Sequence, residues 1–146
     1  MTRFHDSFDA MIKGEAEQPP AAKLIGMRLV SYEQSGASQF EMDADERHWN
    51  PMGTMHGGVL CDLTDAAMGF AFASTLAEGE SFTTLELKIN YLRPIRRAHL
   101  TATARVVSRG RTVGLVECEV AEDKGKLVAR ATSTCLVLRG EAAAGR

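Results

Sequence analysis

The stretch from Asn50 to Gly79, NPMGTMHGGVLCDLTDAAMGFAFASTLAEG, reads as a loop, a helix start rich in glycine, and a long helix. After His56-Gly57-Gly58 comes a run (Val59, Leu60, Leu63, Ala66, Ala67, Met68, Phe70, Ala71, Phe72) so apolar that few of its faces could meet water. A helix that is apolar nearly all round is a buried one, so the rest of the chain has to wrap it. Two acids, Asp62 and Asp65, interrupt the run. Burying a carboxylate in such surroundings is expensive unless it is paired or put to use, which makes both acids candidates for chemistry.

The flanks supply the wrapping. Beyond the helix, Phe82 to Leu92 alternates, with Leu85, Leu87, Ile89 and Tyr91 on one face and Thr84, Glu86, Lys88 and Asn90 on the other, as a half-buried strand does. Pro94 ends it. Further strands are expected from His99 to Val107, Thr112 to Ala121 and Lys126 to Leu138, separated by turns at Ser108-Arg109-Gly110-Arg111 and Asp123-Lys124-Gly125. Before the helix, Met27 to Tyr32 and Ala37 to Met42 form a hairpin about Ser35-Gly36. Phe4, Phe8, Met11 and Ile12, at spacings of three and four, predict a short amphipathic helix lying over a sheet end or a neighbouring subunit. Pro19-Pro20 then punctuates the chain, and a turn from Ala21 to Ile25 precedes Gly26. The expected class is α+β, an antiparallel sheet of about six strands around one long helix. Residues 1–146 are expected to be a single domain, with 1–23 a helical N-terminal extension and 139–146 a frayed tail.

Composition narrows the function classes. A chain of 146 residues can bury one real core. Its 45% hydrophobic and 25% charged residues are near globular averages, so neither disorder nor a membrane protein is suggested. A formal net charge of −2 offers no global attraction to nucleic acid. The 3 cysteines, Cys61, Cys118 and Cys135, form no CxxC pair, and their odd number argues against a disulfide framework. With no apolar signal-peptide core at the N-terminus, a cytoplasmic location is expected. The histidines (His5, His48, His56, His99) show no ligand spacing, so no metal is expected. There is no GxSxG frame for a nucleophile, and Cys61 reads as helix packing.

Asn50, Gly53, His56-Gly57-Gly58 and then Asp65, continued through Tyr91-Leu92-Arg93-Pro94, Arg109-Gly110-Arg111 and the last strand, resemble the signature of hotdog-fold acyl-CoA thioesterases of the phenylacetate-pathway (PaaI-like) group. The likeness runs over roughly residues 24–138. It implies a hotdog fold and hydrolysis of an aryl-, phenylacetyl- or medium-chain acyl-CoA to free acid and coenzyme A, with no cofactor beyond the coenzyme A of the substrate. It also implies that the Gly57 N–H polarises the thioester carbonyl, that Asn50 and His56 line that side, and that Asp65 is the nucleophile or general base. A hydroxyl opening the strand after the helix positions the attacking water in relatives. Counting back from Tyr91 selects Thr84 for this over Thr83, although simple alternation sets Thr84 beside Glu86. Gly58 and Tyr91 are expected at the substrate, and Arg93, Arg96, Arg109, Gly110 and Arg111 on the loops that relatives use for coenzyme A.

Elementary chemistry supports part of this independently. Thioester hydrolysis needs a donor for the developing oxyanion and a carboxylate or other base. The first N–H groups of a helix are unpaired and sit at the positive end of its dipole, so Gly57 and Gly58 can offer theirs. Asp65 lies eight residues beyond Gly57, roughly 12 Å along an α-helix. One thioester carbon cannot sit about 3 Å from both groups of one helix. If both act, they come from different subunits, and two antiparallel helices about a two-fold axis would pair them. A dimer, or a dimer of dimers, with active sites at the interface is therefore expected.

Each residue has a plainer use. Asp65 can be bonded structurally, Asn50 can bond its own loop, Gly58 can serve packing, and any single Arg can be a solvated turn charge. Asp62, in the first turns, suits the helix dipole and is the next candidate if the register is wrong. Two rival functions remain: a non-catalytic acyl-CoA binder, and a hotdog hydratase or dehydratase, for which no suitable histidine follows Asp65.

Overall fold

A computed structural model describes residues 2–146. Helix α1 (Arg3–Lys13) and the short α2 (Pro20–Ile25) precede the hairpin β1 (Met27–Glu33) and β2 (Ala37–Ala44). The long helix α3 (Gly57–Ala73) follows, and then β3 (Ser81–Tyr91), β4 (Ala98–Arg109), β5 (Val113–Glu122) and β6 (Leu127–Leu138). The strands form one sheet of 6 in the order β1-β2-β4-β5-β6-β3, with every pairing antiparallel. The chain leaves β2, crosses the sheet as α3, and re-enters at the far edge as β3. The sheet curls around that crossing helix, which is the hotdog arrangement the sequence suggested.

The core lies between α3 and the concave sheet face. Leu63, Ala67, Ala71 and Phe72 of α3 are fully buried against Phe40, Leu100, Val116 and Val128. Apolar burial on this scale, rather than helix propensity, holds α3 in place. Where Phe72 meets β5 there is no room for a side chain: a Cβ at Gly114 would come within 2.3 Å of the Phe72 ring.

The helix is not covered all round. Gly58, Asp62 and Asp65, spaced by four and three residues, form an exposed stripe on the side away from the sheet. The two acids that looked costly to bury lie on the one face the sheet leaves open. Part of the open side is roofed by α1. Phe8 stacks on Phe70 with ring centroids 4.4 Å apart, the buried His5 bonds through Nε2 to the Ser74 carbonyl at 2.8 Å, and the Tyr32 hydroxyl donates to Asp9 at 2.9 Å.

Two local expectations change. The alternation assigned to β3 breaks at Leu85, where the pairing with β6 shifts register between Thr84 and Glu86. Leu85 is the extra residue of a β-bulge and is 55% exposed, while Leu87 and Ile89 pack on the core. The bulge puts Thr84 on the same face as Leu87 rather than with Glu86. The C-terminal tail, expected to fray, makes a 3-10 turn at Gly140–Ala143. Among the described residues no helix is long and apolar enough to cross a membrane.

Candidate active site

Helix α3 begins with a defined cap. His56 is the N-cap residue, and its Nδ1 accepts the Gly58 N–H at 2.9 Å. That bond consumes the Gly58 donor, so only the Gly57 N–H, which has no partner among the described residues, remains free at the helix start. A side chain here would push the phenol aside: a Cβ on Gly57 would sit 2.8 Å from Cζ and the hydroxyl of Tyr91. Tyr91 itself donates to the Gly57 carbonyl at 3.0 Å and meets the Cys61 Sγ at 3.3 Å, and its phenol pKa is pushed up to about 12, by the Cys61 contact first and then by burial.

Asn50 takes the plainer of its two uses. Its Oδ1 accepts from the Met52 and Thr54 N–H groups at 3.0 and 3.3 Å, and its Nδ2 donates to the Thr54 hydroxyl at 3.0 Å. The side chain thus shapes the loop before α3, and in that position it still borders the cavity onto which Gly57 opens. This cavity, of about 440 Å³, is lined by Asn50, Gly57, Leu60, Tyr91, Arg93 and Ile95.

Asp65 lies further along α3 on the exposed stripe. Its Oδ1 accepts from the Thr84 hydroxyl at 3.3 Å, a contact the Leu85 bulge makes possible. Its pKa is raised: the packed surroundings that strip water from the carboxylate act most strongly, the Thr84 bond pulls the other way, and the charge of Asp62 adds to the rise. Asp65 and Thr84 open onto a second, more apolar cavity of about 380 Å³, walled by Phe70 and Phe82 and by Phe4, Phe8 and Met11 of α1. The sequence showed α1 to be amphipathic but carried no sign that its apolar face walls the cavity onto which Asp65 opens, because that depends on which way the chain folds back over α3.

The candidate coenzyme A residues divide in the same way. Arg93 lines the cavity beside Gly57, and the Arg96 guanidinium lies near Gly53. Neither makes an ion pair among the described residues. Arg109 is already occupied. It bonds Thr75 at 3.1 Å and Glu80 at 3.1 Å, and stacks over the Phe72 ring at 5.1 Å, while Arg139 holds the other oxygen of Glu80 at 2.6 Å. The Gly110 N–H closes its turn on the Val113 carbonyl at 2.9 Å, and the Arg111 carbonyl accepts from Arg139 at 2.6 Å. Arg109 and Gly110 therefore brace the β4–β5 turn against the end of α3.

One chain thus holds a free, positively polarised N–H above one cavity and a carboxylate with a hydroxyl partner above another, on the same helix and roughly 12 Å apart. The fold and the sequence are similar to those of known proteins. The family model described as the thioesterase superfamily matches residues 52–129. The solved structure of a phenylacetic acid degradation-related protein from Ralstonia eutropha JMP134 is 35% identical with a TM-score of 0.79, over 88% of this chain and 98% of that one. The PaaI protein from the phenylacetic acid degradation operon of E. coli superposes with a TM-score of 0.80 at 26% identity, over 92% and 96%. Acyl-coenzyme A thioesterase 13 of Homo sapiens is 26% identical over 136 residues, 92% of this chain and 96% of that protein.

Proposed function

This chain belongs to the thioesterase superfamily, and from that premise we propose that it hydrolyses an acyl-CoA thioester to the free acid and coenzyme A at sites shared between two subunits. The observation that carries the proposal is the split of the two chemical groups. The free Gly57 N–H and the Asp65 carboxylate each open onto a cavity, but on one helix they are too far apart to meet at one carbon. Two antiparallel copies of α3, apposed along the stripe of Gly58, Asp62 and Asp65, would bring Gly57 of the partner subunit to Asp65.

In the resulting site the acyl group lies in the apolar cavity beside Asp65. Its carbonyl oxygen, gaining charge as the tetrahedral centre forms, is held by the N–H at the helix end. The carboxylate either attacks the carbonyl carbon, expelling the thiolate and leaving a mixed anhydride that water then cleaves to the free acid, or takes a proton from a water that attacks directly. Thr84, donating to Oδ1, orients the carboxylate in both cases. The thiolate of coenzyme A leaves and is balanced by the proton that the water gives up. Arg93, which lines the cavity that Gly57 borders, and Arg96, whose guanidinium lies near Gly53, make no ion pair among the described residues and can meet the phosphates of the coenzyme.

Asp65→Asn keeps the size of the side chain and removes the nucleophile or base. With short, medium, long and aryl acyl-CoAs and release of free thiol as the readout, hydrolysis is expected to fall by about 10³ or more with the fold intact. An undiminished rate would remove Asp65 from the reaction. Substrate binding without turnover by the unaltered protein would instead favour a non-catalytic binder.

A further inference from the structure

We propose that Tyr91 is the positioning residue of the oxyanion donor: its ring and hydroxyl clamp the Gly57–Gly58 peptide so that the free Gly57 N–H faces the reacting carbonyl. The inference rests on the hydrolytic reading above.

Two consecutive glycines are the least constrained way to start a helix, since neither has a Cβ to restrict its backbone. A donor on so loose a segment would sample many directions, and a donor without fixed direction stabilises an oxyanion poorly. The structure supplies the missing constraint from both sides of one peptide plane. The carbonyl of Gly57 accepts from the Tyr91 hydroxyl at 3.0 Å, and the N–H on the far side of the same planar group, that of Gly58, is held by His56 Nδ1 at 2.9 Å. With that plane pinned, little freedom is left to the N–H of Gly57 itself.

The clamp has a firm base. Tyr91 is the last residue of β3, paired with Ala129 of β6, and the next two N–H groups, of Leu92 and Arg93, both bond the Val128 carbonyl at 2.9 and 3.2 Å. The phenol is therefore presented by the sheet and not by a mobile loop. Its ring fills the space in which a Gly57 Cβ would stand, which explains the glycine there by close packing as well as by access. Because the hydroxyl donates to Gly57, its oxygen is left to accept from the Cys61 thiol one turn on, at 3.3 Å, and both its bonding roles are spent within the chain. Tyr91 therefore acts through Gly57 and not on the substrate.

The test compares Tyr91→Phe with Asp65→Asn on the same set of acyl-CoAs. Phenylalanine keeps the ring against Gly57 and deletes only the hydroxyl. The expected result is a fall in kcat of about 10- to 100-fold, of similar size for every acyl chain. KM should stay within about twofold, as for an interaction expressed only in the transition state. Solvent exchange of the Gly58 amide, which is bonded to His56 Nδ1, followed by NMR, should quicken in the same variant. Cys61→Ala, which leaves the Tyr91–Gly57 bond in place, should keep the parent kcat. Asp65→Asn inactive with Tyr91→Phe at full kcat would overturn the inference alone. A loss expressed only in KM would also overturn it, by making Tyr91 a substrate contact. Full activity in Asp65→Asn would bring down the hydrolytic reading, and this inference with it.

Discussion

Asp65 shares its stripe of α3 with Asp62, three residues earlier and thus a neighbour on the helix surface. Three influences meet at its carboxyl group: loss of water, which raises its pKa most, the Thr84 hydroxyl, which lowers it, and the Asp62 charge, which raises it again. A carboxylate that must be ionised to act loses activity as pH falls through its pKa. The acid limb of kcat/KM should therefore lie above the ordinary carboxylate range. Asp62→Asn removes the like charge and should move that limb to lower pH, and a limb that stays put in a pH–rate profile would show that Asp62 is not felt at the site. The same shift has a cost in stability. A folded pKa above the unfolded one means that the native state binds the proton more tightly. Stability is then lost as pH rises from the unfolded carboxylate value through the folded pKa. Asp65→Asn has no charge to strand and should melt at a higher temperature than the parent at neutral pH, which calorimetry at pH 7 and again at low pH can check.

Among the elements, α1 turns from an appendage into a wall of the cavity at Asp65. It is held to the end of α3 by the His5–Ser74 bond and to β1 by the Tyr32–Asp9 bond, with Phe8 wedged against Phe70. Its next turn carries Met11 to the rim of the cavity at Asp65. Met11 is partly buried, so changing its size alters the cavity more than the core. Met11→Trp should lower kcat/KM for long and bulky acyl-CoAs well below that for acetyl-CoA, whereas an equal loss on all chain lengths would place the acyl group elsewhere. Phe8→Ala is a different kind of change. Phe8 is buried, and its truncation should cost about 3–5 kcal/mol in denaturant unfolding. β3 is the other element that shapes the candidate site, since its bulge delivers Thr84 to Asp65 and its last residue delivers Tyr91 to Gly57.

For the whole molecule the strongest consequence of the proposed function is that one chain would carry two halves of different sites. If Gly57 of one subunit serves Asp65 of the other, two inactive variants should rescue each other. Asp65→Asn lacks the carboxylate, and Gly57→Ala forces a methyl against the Tyr91 ring at the donor. Each homodimer should be nearly inactive. Mixed dimers, formed by co-expression or by refolding the two together, should contain one intact site in every hybrid, so that about a quarter of the parental activity returns on random mixing. No recovery, with hybrids demonstrated by native mass spectrometry, would place both groups of a site on one chain or remove one of them from the reaction.

The sequence by itself determined whatever depends on neighbours along the chain. The cap and donor at His56-Gly57-Gly58, the acids on α3 and the alternating strands follow from local spacing, because helix and strand periods are properties of short segments. So does the separation of Gly57 from Asp65 along one helix, from which the expectation of a two-subunit site arises. Tertiary structure decided what depends on register and on packing between distant segments. Regular alternation would turn Thr84 away from the helix, and one extra residue, Leu85, turns it back. Tyr91, which resembled a substrate contact, is drawn under Gly57, and Arg109, which looked free for phosphate, is paired with Glu80. The partners lie 19, 34 and 29 residues apart in the chain, and it is the sheet curling around α3 that brings them together.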